Sequence, residues 1–177
     1  VLNPTALKAA AKTGFPREKM IGVWWSGAEE DTVPAGDAAK GFTAAGFNVA
    51  GTNYPVVKAI QDNVYKKNKG NMEDKSRVGS VYYNRGVVHG IITVEAIRTA
   101  QEKFGKGKPL TAEQARWGFE HLHIDAKRLK ELGAEGFMPD LAITCADHEG
   151  SGKVKFQQWD GKAWKVVSDW VDADKDM

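Results

Sequence analysis

Apolar and polar positions along the chain alternate between two periods. Over residues 4–13, small or apolar side chains fall at Ala6, Leu7, Ala10 and Ala11, the spacing of one helix face. Asn3 and Pro4 supply the N-cap and first helical residue, and Gly14 the left-handed stop. Residues 20–25 (MIGVWW) are continuously apolar and predict a strand buried on both faces, ended by Ser26-Gly27. Residues 28–32 are acidic and read as a solvated loop. The small-residue stretch 42–47 is extended, and Gly46 and Gly51 mark it as a crossing or hinge. A helix over 54–67 buries Val57, Ile60, Val64 and Tyr65, followed by a polar loop over 68–77. The longest helix, 85–103, is apolar over so much of its circumference that deep packing is expected. Thr111 and Gln114 form a capping box for a helix reaching 121, and another helix over 124–132 ends at Gly133. Strands are predicted at 141–146, 153–159 and 163–168, the last two joined by Asp160-Gly161. Helix, short loop and buried strand in succession predict an α/β layered domain. Val1 and Leu2, ahead of the first cap, read as the remainder of a strand, so a longer parent chain is expected. The chain closes in a polar tail ending at Met177.

Charge and composition narrow the function classes. The 25 basic and 23 acidic residues leave a net charge of +2, with the signs interspersed as in Arg17-Glu18-Lys19. No basic stripe for nucleic acid is formed, and Lys66, Lys67 and Lys69 read as a solvated helix end. No stretch reaches the roughly 18–20 apolar residues of a membrane span. One cysteine excludes an internal disulfide and a cysteine zinc site; Cys145 lies in an apolar stretch, which predicts a buried thiol. The six tryptophans serve either core packing or a stacking site.

Catalytic patterns are missing. Adjacent Glu29, Glu30 and Asp31 do not have the facing arrangement of glycosidase carboxylates or the spacing of a calcium loop. Asp147-His148-Glu149 and the pair His121, His123 lack a third partner at zinc spacing, so no metal and no cofactor is expected. Ser26 is not in a Gly-x-Ser-x-Gly elbow, and no phosphate-cradling glycine loop is present. The expectation is a protein that is not an enzyme. A binding pattern remains: Trp24, Trp25, Ser26 and Gly27 stand at a strand's carboxyl end, where open α/β sheets take ligands. Tyr82 and Tyr83 precede the most apolar helix, and Arg85 can clamp a carboxylate if it faces the site.

The succession NPTALKAAAK (3–12), IGVWWSGAEED (21–31), AGDAAKG (35–41), YNRGVVHG (83–90), DHEG (147–150) and FQQWDG (156–161) resembles the leucine/isoleucine/valine-binding branch of the type I periplasmic binding proteins. The resemblance covers the whole chain. It implies an α/β fold of two Rossmann-like lobes with parallel sheets, here only the C-terminal portion. On that mapping residues 1–42 belong to lobe two, 43–52 to a hinge crossing and 53–140 to lobe one. Residues 141–177 return to lobe two with a terminal hairpin. The implied function is capture of a small solute for an ABC importer by lobe closure. The implied ligand is an aromatic carboxylate or a branched-chain or hydrophobic amino acid. An extracellular sensing domain on the same fold is the alternative. Implied partners are the ligand, the importer's permease subunits and the missing N-terminal half, in the periplasm. Amino-acid binders often place an acid where this chain has Trp24-Trp25-Ser26, which favours a less cationic solute.

Overall fold

Residues 2–172 are described by the computed structural model; the reading of Val1 as a strand remnant and the tail to Met177 lie outside them, whereas Leu2, read as part of the same remnant, is helical. Helix α1 spans Leu2–Lys12. Its end follows the sequence: Gly14 takes φ +73°, its N–H bonds Ala11 O at 3.1 Å, and Phe15 N–H bonds Ala10 O at 2.9 Å. This bond pair satisfies the last helical carbonyls. Its start differs, because Asn3 lies inside the helix and its Nδ2 donates to Asp31 Oδ1 at 2.8 Å.

The expected doubly buried strand over 20–25 is not formed. Only β1 (Ile21–Gly22) pairs, and it is the edge of its sheet, with Ile21 69% and Val23 62% exposed. The acidic segment is likewise no loop: Glu29–Thr32 form the short helix α2, with Asp31 buried. Strand β2 (Thr43–Gly46) follows, then α3 (Pro55–Ile60), continued by a widened turn over Gln61–Tyr65.

The long helix α4 runs Val81–Phe104, four residues earlier than expected, because Ser80 Oγ accepts from Tyr83 N and caps it. Tyr82 and Tyr83 are therefore in its first turn. Its circumference is not wholly covered either: Val94 is 62% and Ile97 40% exposed. Helix α5 (Ala112–Glu120) opens with the Thr111–Gln114 capping box. Next come β3 (His123–Ile124) and α6 (Ala126–Glu131), the latter capped by Asp125 through Arg128 N. Only β4 (Leu141–Ala142) of the predicted 141–146 strand pairs, antiparallel to β3. The chain turns at Thr144, and Cys145 is exposed rather than buried. A hairpin of β5 (Lys155–Trp159) and β6 (Trp164–Val166) follows. Asp160 Oδ1 closes its loop by accepting from Lys162 N and Ala163 N, both at 2.8 Å.

The larger sheet has the order β1-β2-β5-β6, parallel between β1 and β2 and antiparallel elsewhere. One core, including Leu7, Ala39, Phe42, Ala44, Trp159 and Trp164, lies against it. A second core gathers Val49, Val57, Val88, Leu122, Ile124 and Phe137 beneath α4. The segment after β2 passes from one core to the other. This is a mixed α/β protein.

A bidentate ion pair ties α6 to α4. Arg128 Nε and Nη2 each donate at 2.7 Å to Glu95, which is 7% exposed. These hydrogen bonds hold the Glu95 carboxyl below its ordinary value of 4.5. Its stabilisation is therefore complete above that value and lost as pH falls through the lowered one. Arg128→Met is expected to cost about 2 kcal/mol at pH 7, the scale of hydrogen bonds to a charged group. The difference from wild type should shrink toward pH 2. Urea midpoints at the two pH values check this; an unchanged difference would show that the pair contributes nothing through its charge.

Candidate functional site

Because β1 and β2 run parallel, their carboxyl ends open on the same side of the sheet, β1 leading to Trp24 and β2 to Phe47. Arg85, in the second turn of α4, enters this end and is 8% exposed. Its guanidinium carbon lies 5.1 Å from the ring centroids of Trp24, Phe47 and Tyr82 alike. Nη2 donates to Trp24 O at 2.9 Å and Nε to Asn48 Oδ1 at 3.3 Å. Among the described residues no carboxylate forms an ion pair with it. Burial pulls the guanidinium pKa down, and the nearby Tyr82 and Asp31 offset part of that pull. An arginine does not deprotonate in a protein, so a charge stands here with aromatic faces and two neutral oxygens in place of a counter-ion. Such a group gains from an anion that completes its hydrogen bonds, a carboxylate above all.

The aromatic wall continues outward. Trp25, 63% exposed, stacks on Trp24 with centroids 4.3 Å apart and planes at 27°. Phe47 tilts against Trp24 at 5.7 Å. The site thus joins one cation to three rings, with a fourth at the rim.

The seven residues singled out from sequence separate into three groups. Trp24, Tyr82 and Arg85 converge, and Trp25 stacks beside them. Ser26 is buried and its Oγ donates to Val23 O at 2.9 Å, so the hydroxyl closes the turn after β1. Gly27 lets that turn lie against β2: a Cβ there would sit 2.7 Å from the Ala44 Cβ. Tyr83 faces the second core, its hydroxyl 3.0 Å from that of Tyr65, and burial raises its pKa. Phe47 and Asn48 were not found from sequence. Their position directly after a strand of small residues is the only signal they carry.

The three acids near the site are engaged elsewhere. Glu29 Oε2 accepts from Val81 N at 3.0 Å, at the start of α4; burial raises its pKa and that hydrogen bond partly opposes the rise. Glu30 pairs with Arg77. Asp31 takes Asn3 Nδ2 and its own turn's Ala28 N. Each of the three therefore already has a partner within the chain. A cavity of about 510 Å³ near the crossing includes Glu29, Gly51, Tyr54, Arg77, Ser80 and Trp164 but none of the converged residues. Two of its charged groups, Glu29 and Arg77, already have protein partners, which makes it the weaker candidate. Among the described residues, no cluster of three His, Cys, Asp or Glu side chains is placed to hold a metal. Among them, too, no helix is long and apolar enough to cross a membrane.

The family described as periplasmic binding protein matches residues 2–163. A crystal structure described as an ABC transporter permease from the Pseudomonas fluorescens group superposes with TM-score 0.95 at 46% identity, covering 99% of this chain and 42% of that one. A branched-chain amino acid ABC transporter from Thermus thermophilus with bound valine superposes with TM-score 0.69 at 22% identity, covering 96% and 43%. A possible leucine/isoleucine/valine-binding protein from Rhodopirellula baltica gives TM-score 0.65 at 18% identity, covering 93% and 39%. The two latter likenesses speak to the fold, that of the type I periplasmic binding proteins. The chain thus spans less than half the length of these solved relatives. No curated protein matches it.

Proposed function

The chain belongs to the periplasmic binding protein family, and on that footing we propose that it forms the ligand-capturing C-terminal portion of an ABC importer's receptor. The captured solute carries a carboxylate, held by Arg85, and an aromatic or apolar body, covered by Trp24, Trp25, Phe47 and Tyr82. The observation that carries this reading is the buried Arg85 without a carboxylate partner at the carboxyl ends of two parallel strands. Engagement of Glu29, Glu30 and Asp31 elsewhere supports an aromatic carboxylate over an amino acid, whose ammonium needs an acceptor.

On this reading residues 1–42 and 141–177 serve one lobe, 53–140 the other, and 43–52 are a hinge. The lobes close with the N-terminal half of the receptor, and the closed form is delivered to permease subunits in the periplasm. Capture needs no covalent chemistry: desolvating the carboxylate against Arg85 and stacking the body on indole supply the affinity.

Thermal shift and calorimetry on the full chain encoded by the gene test the reading, with benzoate, benzamide, leucine and leucinamide as probes. The expected order is benzoate above leucine, with both amides at least about tenfold weaker, as the loss of one charge-assisted hydrogen bond requires. Binding of leucinamide as tightly as leucine, or turnover of a bound probe, would overturn it.

A further inference from the structure

We propose that Asn48 is the positioning residue for Arg85 and that, with Gln157, it fastens the ligand-binding cation to the segment joining the two cores. The proposal rests on the carboxylate reading above. Asn48 is fully buried and uses both ends of its amide. Nδ2 donates to Val81 O at 3.0 Å, one turn before Arg85 on α4, and Oδ1 accepts from Arg85 Nε at 3.3 Å. A carbonyl can only accept, so Val81 O fixes which way the amide points and turns its oxygen to the guanidinium. With Nε on Asn48 and Nη2 on Trp24 O, Nη1 is left without a partner among the described residues. Asn48 therefore determines which edge of the fork remains for a carboxylate.

The same residue is held from behind. Its backbone carbonyl accepts from Gln157 Nε2 at 3.3 Å, and Gln157 Oε1 accepts from Ala50 N at 2.8 Å. Gln157 is 3% exposed and lies on β5, beside β2. Its amide thus brackets residues 48–50, where the chain leaves the sheet and Val49 enters the second core. Displacement of Arg85 by a ligand acts first on Asn48, and Asn48 cannot move without stretching the bracket. Among the described residues, the buried side-chain atom beside this link that has no hydrogen-bond partner is Oδ1 of Asn84, whose Nδ2 donates to Val49 O at 2.8 Å and Gly51 O at 3.0 Å.

Two measurements on the full chain test this. In ¹⁵N NMR of the wild type, the Arg85 Nε–H is expected to exchange slowly with solvent, and Asn48→Ala to remove that protection. Exchange as fast as at an exposed arginine, or protection unchanged in Asn48→Ala, would overturn the proposal. Asn48→Asp keeps an oxygen on Arg85 but adds a counter-charge. It is expected to weaken benzoate at least about 30-fold while changing benzamide less than about threefold, the scale set by hydrogen bonds to charge. Equal loss for both probes would mean that the residue is only structural, and the proposal fails. If the wild type binds neither carboxylate yet Asn48→Ala abolishes the Nε–H protection, the ligand reading falls and the positioning role stands.

Discussion

Replacing Arg85 by Met is expected to lower affinity for the proposed carboxylate ligand by at least about 30-fold, since truncating one partner of a buried, hydrogen-bonded charge pair costs about 2–5 kcal/mol. The methionine fills much of the space among Trp24, Phe47 and Tyr82, so the aromatic wall survives and the amide analogue keeps most of its affinity. Asn48 Oδ1 and Trp24 O lose a donor, which adds a stability loss of about 1–3 kcal/mol. Arg85→Lys is expected to recover only part of the binding. An ammonium offers a compact charge without the planar fork, and it cannot satisfy Asn48, Trp24 O and a carboxylate in the same geometry. Calorimetry with benzoate and benzamide, alongside thermal melts, separates the two effects. A variant that melts normally and still prefers benzoate would remove Arg85 from the site.

Gly118→Leu is expected to destabilise the fold by about 3 kcal/mol or more, above the usual range for overpacking because the obstacle is backbone. A Cβ at Gly118 would collide with the carbonyl oxygen of Ala96 and lie 2.9 Å from Ala100 Cβ. Ala96 and Ala100 are fully buried, so α4 and α5 touch almost backbone to backbone here. Even Gly118→Ala should destabilise, although alanine favours a helix by about 1 kcal/mol over glycine. The control is on the facing helix. Gly86 and Gly90 of α4 have nothing within 4 Å of a built Cβ, so alanine at either should stabilise by about 0.5–1 kcal/mol. Urea unfolding of the three alanine variants checks the opposite signs, and a neutral Gly118→Ala would show that the helices can separate without loss.

Much of the local structure could be read from the residues because the interactions that set it span only a few positions. The Gly14 stop, the Thr111–Gln114 box and the Asp160 loop all rest on hydrogen bonds between residues no more than five apart. The family resemblance could be read as well, from short motifs spread over the chain. The local pattern misleads where burial depends on a distant neighbour. The run at 20–25 is apolar enough for a buried strand, yet β1 has a partner on one side only, and Ile21 and Val23 stay exposed. Cys145 sits in an apolar stretch, but pairing stops at Ala142 and the turn that follows leaves the thiol outside.

The candidate site divides along the same line. The sequence by itself determined that tryptophans and a serine follow a strand and that an arginine lies near the start of a long helix. Tertiary structure alone decided what those residues do. Arg85 meets Trp24 across 61 positions and Asn48 across 37, while Glu29 reaches Val81 across 52 and Gln157 reaches Asn48 across 109. No periodicity encodes contacts of that span, because they form only when the chain has crossed between its two cores. The crossing makes Asn48 a neighbour of Arg85, places the acids against other partners, and leaves a buried cation with no ion-pairing carboxylate among the described residues.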